Sequence, residues 1–274
     1  MAECGLAFRL SGPLTGTRDG VPLRLSIAGT TRGLLAYLLI HAGRALRKEH
    51  LGDLLWPDSD GTRRRSALNS AVHRLRKVLS GTPASLVCGG DTLCLTLARE
   101  ASVDAQALRE AVERAEVALD AGAALALTRV LAETERPFLE DIDEDWALAA
   151  RERLFELRLS GLALLMQWHI GAGRFGPALA AGREIVEADP LRESAQCDLM
   201  WLYVLNGERA RALRQFAALE ARLEADLAIS PMEETRALYA HIRFGLECRS
   251  AAARHPLPDR FATLAPHTPQ QIAV

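Results

Sequence analysis

The sequence lacks the features that direct a chain into or across a membrane. Uncharged apolar stretches such as residues 33–40 and 161–166 are far shorter than the roughly 18 residues that a spanning helix needs. The N-terminus carries Glu3 where an export signal needs a basic residue, and no long apolar core follows. We therefore predict a protein without membrane association, located in the cytoplasm.

Signs of metal binding and of common catalytic machinery are also missing. The five cysteines are scattered and include no Cys-x-x-Cys pair, which argues against a disulfide framework and against a zinc site. The chain has no phosphate-binding P-loop, no Gly-x-Ser-x-Gly and no His-Glu-x-x-His motif. We predict that the protein is not an enzyme and binds neither a metal nor a cofactor.

Lysine is nearly absent, since Lys48 and Lys77 stand against 31 arginines. The net charge of −2 over 274 residues hides a contrast between two parts, and this length suits two domains. Residues 1–100 hold 14 basic and 8 acidic side chains (net +6), whereas residues 101–274 hold 19 and 27 (net −8). Such asymmetry is typical of a nucleic-acid-binding module joined to a module with another task, although chance clustering of surface charge gives the same numbers.

The first hundred residues predict strands, three helices and a final hairpin. Apolar-polar alternation indicates strands, three- and four-residue apolar spacing indicates helices, and glycine, aspartate and proline mark the turns. The predicted strands cover residues 6–10 and 21–27, the helices begin at residues 31, 48 and 63, and the hairpin strands cover 85–88 and 92–97. This order is that of a winged helix-turn-helix.

The third predicted helix, residues 63–79, has one apolar stripe formed by leucine and valine at positions 68, 72, 75 and 79. Its other faces carry hydroxyl, amide, imidazole and cationic groups and no carboxylate from position 63 to 77. The candidate DNA-binding residues are Arg63, Arg64, Arg65, Ser66, Asn69, Ser70, His73, Arg74 and Lys77. A solvated helix normally mixes both charges, so the pattern favours a reader of phosphates and base edges, while an ordinary solvated face remains the alternative.

Four stretches of the first hundred residues are distinctive: Arg32-Gly-Leu-Leu-Ala-Tyr-Leu-Leu39, Ala42-Gly-Arg44, Leu51-Gly-Asp-Leu-Leu-Trp-Pro57 and the run from Ala67 to Leu79. Through them, residues 5–97 show a resemblance to the OmpR-type DNA-binding domain found in the SARP family of bacterial regulators. It implies that the third helix enters the DNA major groove, that the hairpin turn (Gly89, Gly90 and Thr92) contacts the minor groove or backbone, and that the loop with Asp58, Ser59 and Asp60 faces RNA polymerase. One departure is Asp91 after the turn glycine, where wings of the family commonly carry an aromatic residue.

From residue 103 onward the sequence predicts helices alone. Amphipathic stretches cover residues 104–120, 123–134, 144–170, 174–188, 192–206, 208–227 and 232–247. Residues 173–179 align with residues 207–213 at an offset of 34, which is the tetratricopeptide period. In such repeats a glycine ends the first helix of each pair, and small residues such as Ala178 and Ala212 lie where helices pack closely. The predicted fold class is mainly α: an N-terminal winged helix-turn-helix with small antiparallel sheets, then an all-α tetratricopeptide-like domain.

Six places in this second part are distinctive: residues 137–141, Trp146, 151–154, 189–193, 199–203 and 223–231. Through them the second part resembles the bacterial transcriptional activator domain that follows the winged helix in the same family. A departure is Glu135-Arg-Pro137, where many members have an aromatic-Arg-Gly step. The predicted domains are 1–100 and 101–247, and the proline-bearing residues 248–274 are predicted to be a flexible tail.

The leading functional hypothesis is a transcriptional activator that binds promoter repeats in double-stranded DNA as a homodimer and recruits RNA polymerase. The alternatives are a tetratricopeptide-type interaction scaffold and a sensor of a small anionic ligand such as a nucleotide. The candidate ligand residues are Arg192, Arg209, Arg211 and Arg214, for which a salt-bridged surface with Glu193 and Glu208 is the other interpretation.

Overall fold

The computed structural model describes residues 5–244, in which two small sheets flank three helices at the N-terminal end. The elements of this part are β1 (Leu6–Arg9), β2 (Thr15–Arg18), β3 (Val21–Pro22), α1 (Thr30–Ile40), β4 (Leu46–Arg47), α2 (Lys48–Leu55), α3 (Gly61–Leu79), β5 (Ala84–Cys88), β6 (Thr92–Leu97) and β7 (Ser102–Val103). Seven further helices follow: α4 (Asp104–Val117), α5 (Ala121–Glu133), α6 (Asp145–Gly171), α7 (Phe175–Ala188), α8 (Glu193–Leu205), α9 (Arg209–Leu227) and α10 (Glu233–Phe244). The predicted fold class is confirmed.

The first sheet has the strand order β3-β2-β1-β7 and differs from the prediction in two respects. The antiparallel partner of β1 is β2, which the sequence analysis missed, because its inward position is Gly16 rather than an apolar side chain. A Cβ added at Gly16 would lie 3.2 Å from the ring of Phe8, so this glycine makes room for the phenylalanine. The prediction of a strand over residues 21–27 is wrong beyond Pro22, where β3 ends. After Pro22 the backbone turns, and the Ile27 N–H donates to the carbonyl oxygen of Leu25 at 2.7 Å.

The second sheet, with strand order β4-β6-β5, is the predicted hairpin with one short strand added. A two-residue strand such as β4 is too short to give a periodic signal, and the same holds for β7. Between the sheets, α1, α2 and α3 pack through buried leucines, of which Leu34, Leu51 and Leu75 are fully buried. Burial of each such side chain contributes roughly 1.5–3 kcal/mol, and together these residues fix the orientation of α3.

The 34-residue repeat is visible in the backbone. Gly173 and Gly207 follow α6 and α8 with φ of 67° and 77°, a left-handed conformation that glycine adopts without strain. Each donates its N–H to the carbonyl three residues before it, and both N–H···O distances are 2.9 Å. Ala178 and Ala212, the predicted close-packing positions, are both 0% exposed. The predicted pairing of helices is therefore confirmed.

The described chain divides into two compact units that do not coincide with the predicted domains. Among the described residues, the first comprises 5–118 together with 125–161, and the second comprises 119–124 together with 162–244. Within the first unit, the backbone N–H of Leu139 donates to Leu10 O at 2.7 Å, and Arg32 pairs with Asp141. The winged helix is thus joined to α4 and the first half of α6 in one unit, while the predicted domain limits stay a prediction.

Between residues 5 and 244 no helix has the length and apolar character needed to cross a membrane. Over the same residues, the structure shows no group of three or more His, Cys, Asp or Glu side chains placed to hold a metal ion. The flexible tail predicted for residues 248–274 lies outside the described residues.

Candidate nucleic-acid interface

The helix α3 begins with a side-chain cap that fixes its first turn. Asp60 is the N-cap residue, and its Oδ1 accepts hydrogen bonds from the backbone N–H groups of Thr62 at 3.1 Å and Arg63 at 2.8 Å. Such a cap stabilises a helix by about 1 kcal/mol, and the negative charge of the carboxylate interacts favourably with the positive end of the helix dipole. Asp60 was predicted as a polymerase contact, but the structure gives it a structural task as well.

The polar face of α3 is exposed and borders a shallow depression. Seven side chains line the depression, and all of them except Thr62 are predicted DNA contacts. They are Thr62, Arg65, Ser66, Asn69, Ser70, His73 and Arg74. Lys77 is exposed one turn further along the same face. Thr62 was missed by the sequence analysis, although its spacing of three and four residues from Arg65 and Ser66 places it on this face. The structure therefore brings together seven of the nine predicted residues and adds one.

The electrostatic character of this face is set by cations that the protein does not neutralise. Among residues 5–244, neither Arg65 nor Lys77 has an ion-pair partner, and the Nε of Arg74 makes only a 3.4 Å hydrogen bond to Ser70 O. A free guanidinium can bind a phosphate or donate two hydrogen bonds to guanine, and an amide such as that of Asn69 can do the same with adenine. The face can thus contact both the DNA backbone and base edges.

Of the two remaining predicted DNA-binding arginines, Arg64 lies apart from this group, whereas Arg63 lines an adjoining depression together with Thr62 and Arg65. Arg64 forms an ion pair with Asp53 of α2 and donates from Nη2 to Ser59 O at 2.7 Å, so it ties α2, the loop and α3 together. Arg63 lies 3.5 Å from Asp60 while its side chain stays 84% exposed. The structure thus makes Arg64 a positioning residue, and its role in DNA contact stays a prediction.

The predicted wing turn (Gly89, Gly90 and Thr92) is exposed or half-buried at the end of the β5–β6 hairpin. The Nζ of Lys48 donates to the carbonyl oxygens of Gly89 at 3.0 Å and Gly90 at 2.8 Å. Arg76 joins α3 to the same hairpin by donating to Cys88 Sγ at 3.0 Å. Lys48 and Arg76 are positioning residues that the sequence analysis missed. The rarity of lysine in this chain is the only sequence signal for the first of them.

The loop predicted to face RNA polymerase precedes α3. Asp58 is exposed and makes no hydrogen bond or ion pair with any other residue of the described range. Ser59 accepts from Arg64 through its carbonyl oxygen and donates its N–H to Trp56 O at 3.2 Å. Of the three predicted contact residues, Asp58 is the one whose change would perturb the loop least.

The four arginines of the candidate ligand site lie in the second unit, and three of them have separate intramolecular partners. Arg192 pairs with Asp189 at 2.8 Å, Arg211 with Glu208 at 2.6 Å, and Arg209 donates to the carbonyl of Ile242 at 2.8 Å. Arg214 is exposed. The Arg211 pair agrees with the salt-bridge interpretation, and binding of a small anion by these residues stays a prediction.

Two domain families match the chain in the predicted order. Residues 103–243 match the bacterial transcriptional activator domain, and residues 23–87 match the family described as transcriptional regulatory protein, C terminal. The second match ends at residue 87, before the wing turn at residues 89–92.

Curated regulators and one solved structure are similar over most of the chain. The transcriptional regulatory protein EmbR of Mycobacterium tuberculosis is 27% identical over 255 residues, which cover 88% of this chain and 64% of EmbR. MoaR1 of the same species is 24% identical over 266 residues, which cover 85% of this chain and 82% of MoaR1. The structure of M. tuberculosis EmbR in complex with a low-affinity phosphopeptide gives a TM-score of 0.75 at 25% identity, over 94% of this chain and 68% of that one. The chain therefore spans less than two thirds of the length of EmbR.

Proposed function

Since the chain belongs to the bacterial transcriptional activator domain family and is a SARP-type regulator in its domain order, we propose that it binds specific sites in double-stranded promoter DNA and recruits RNA polymerase. In this proposal α3 lies in the major groove, and the wing turn contacts the neighbouring backbone or minor groove. The protein binds repeated sites as a homodimer and has no catalytic role.

The observation that carries the proposal is the exposed face of α3. It holds three cations without an acidic partner among the described residues, together with hydroxyl, amide and imidazole groups over four helical turns. Cations on such a face bind phosphates with little sequence preference, whereas short amide and hydroxyl groups discriminate between bases. The mixture therefore suits a sequence-specific reader better than a general anion binder.

DNA titrations with two single variants test this division of roles. We expect Lys77→Ala to weaken binding to specific and random duplexes alike and to lower the slope of log K against log salt by about 0.9, the contribution of one phosphate contact. We expect Asn69→Ala to weaken binding to the specific site by about 1–3 kcal/mol, roughly 5- to 150-fold, and to leave random DNA nearly unaffected.

The control is Arg222→Ala, which removes one positive charge from an exposed position of α9. Its binding should match that of the parent protein at every salt concentration. If Lys77→Ala and Asn69→Ala also match the parent, α3 is not the DNA-binding helix and the proposal fails.

Recruitment of polymerase is tested at Asp58, because Asp60 caps α3 and its loss would disturb DNA binding indirectly. The carboxylate of Asp58 would repel DNA phosphates, so a protein is the more suitable partner for this loop. We expect Asp58→Ala to bind DNA with unchanged or slightly higher affinity and to support less transcription by purified RNA polymerase. Equal transcription by the variant and the parent would remove this residue from the mechanism.

A further inference from the structure

A second basic group in the first unit is separate from α3 and surrounds the C-terminal end of α1. Its centre is formed by Tyr37 and His41, whose rings lie 4.6 Å apart. Trp146 of α6 contacts Tyr37 edge-on at 5.2 Å, and the Tyr37 hydroxyl lies 3.2 Å from His50 Nε2 of α2. The indole Nε1–H of Trp146 is buried without an acceptor among the described residues.

Three arginines from three elements lie around this centre. Arg44 follows α1 in a tight turn in which its N–H donates to His41 O at 3.0 Å. Arg109 lies one turn beyond Gln106 on α4, and the Gln106 amide donates to Ala42 O at 3.2 Å, so this face of α4 is directed at the same turn. Arg153 lies two turns after Trp146 on α6, on the side of that helix that contacts Tyr37.

No acid within residues 5–244 forms a contact ion pair with these arginines, although Glu113 and Glu156 lie about one helical turn from Arg109 and Arg153. Arg44, Arg109 and Arg153 form no ion pair there, and Arg44 and Arg153 are exposed. Glu110 and Glu152 are adjacent in sequence to Arg109 and Arg153, but residues one apart on a helix do not face each other. The carbonyl end of α1 supplies only about half an elementary negative charge against three positive ones.

His41, at the centre of this group, has a pKa that burial and the nearby arginines both lower. Burial, together with the positive charges of Arg109, Arg44, Arg153 and His50, lowers the pKa of His41 from 6.5 to about 4. No carboxylate is among the groups that act on it. The imidazole is therefore neutral at pH 7, mainly because it is buried and to a smaller extent because of the positive charges around it.

We infer that Arg44, Arg109 and Arg153 form a binding site for a phosphate-type oxyanion, which bridges the turn after α1 to α4 and α6. Arginine suits this role because its planar fork donates paired hydrogen bonds to phosphate oxygens and keeps its charge at any physiological pH. The oxyanion belongs either to a small phosphorylated molecule or to a DNA backbone phosphate, and the two sources are separable by experiment.

The first experiment uses the full chain and sodium pyrophosphate, with sodium chloride at matched ionic strength as the reference. We expect pyrophosphate to raise the melting temperature and to raise the pKa of His41, measured by NMR titration of its C2–H, because the anion offsets the positive field. We expect Arg153→Ala to weaken the apparent affinity for pyrophosphate about tenfold, the size of one charge-assisted contact, and Arg222→Ala to leave it unchanged. Arg44→Ala serves as a second variant.

The second experiment measures binding to a random-sequence duplex at several salt concentrations, and this arm alone rests on the proposed DNA binding. If the parent responds to pyrophosphate, and Arg153→Ala weakens that response but keeps the salt slope of the parent, the site is assigned to a small molecule. A salt slope lowered by about 0.9 in Arg153→Ala, without a response to pyrophosphate, assigns it to DNA phosphate. The inference is overturned if the response to pyrophosphate and the salt slope of both Arg153→Ala and Arg44→Ala equal those of the parent.

Discussion

Replacing Asp104 with alanine is expected to lower the free energy of unfolding of the first compact unit by about 3–5 kcal/mol. Asp104 is 8% exposed and begins α4. Its carboxylate accepts hydrogen bonds from the backbone N–H groups of Leu10 at 2.9 Å, Ser11 at 2.8 Å and Ala105 at 2.8 Å. One side chain thus accepts hydrogen bonds from the two residues that follow β1 and from the first turn of α4.

The expected loss follows from the donors that alanine leaves behind. A buried N–H group without an acceptor costs about 1–3 kcal/mol, and three such groups lose their acceptor at once. Burial raises the pKa of Asp104, and the three N–H groups and Arg9 act in the opposite direction. Urea unfolding at pH 7, with hydrogen exchange at Leu10 and Ser11 as a local measurement, checks the prediction.

Two further variants separate this role from a general effect of charge. Asp104→Asn keeps one carbonyl oxygen as acceptor, so we expect it to lose about 1–2 kcal/mol, less than the alanine variant. Asp145→Ala removes an exposed acid from the first turn of α6 and should change stability by no more than about 0.5 kcal/mol. If Asp104→Ala lowers the free energy of unfolding by less than about 1 kcal/mol, water replaces the carboxylate, and the contact between the residues after β1 and the start of α4 is not rigid.

The sequence predicts the helices of this chain well because their signal is periodic and long. The apolar spacing of α3 and the 34-residue repeat both depend on many residues, so single exceptions do not hide them. The short strands are harder, since β2 has a glycine at its inward position and β4 and β7 have two residues each. Apolar alternation over residues 21–27 reports which side chains face inward, but it does not report whether the backbone joins a ladder.

The exposed face of the candidate interface can be predicted from the sequence, but the contacts that hold α3 and the wing turn in position cannot. Periodicity places Arg65 and Asn69 on one face of α3, and the structure agrees. It does not reveal that Arg64 pairs with Asp53, because the two residues are eleven positions apart on different helices. The bond from Lys48 to the wing turn spans about forty residues and has no local signature. Long-range polar contacts of this kind depend on the tertiary fold.

Cutting the chain after residue 100 is expected to leave the winged helix largely unfolded, whereas a fragment of residues 1–161 should fold. The shorter fragment loses β7, which pairs with β1, and it loses the carboxylate of Asp104. It also loses the Leu139 N–H that donates to Leu10 O, and the Trp146 ring that covers Tyr37. The longer fragment keeps all four contacts within its own sequence.

The magnitudes favour unfolding of the shorter fragment. Each large buried apolar side chain that is removed costs roughly 1.5–3 kcal/mol, and Val103, Leu108, Leu139 and Trp146 are all at least nine-tenths buried. Their combined loss is comparable with the total stability of about 5–15 kcal/mol that a domain commonly has. Circular dichroism and amide dispersion in NMR spectra of fragments 1–100 and 1–161 measure the difference, and DNA binding should survive only in the longer one. A cooperative melting transition and native-like amide dispersion in fragment 1–100 would show that the winged helix is independent of α4 and α6.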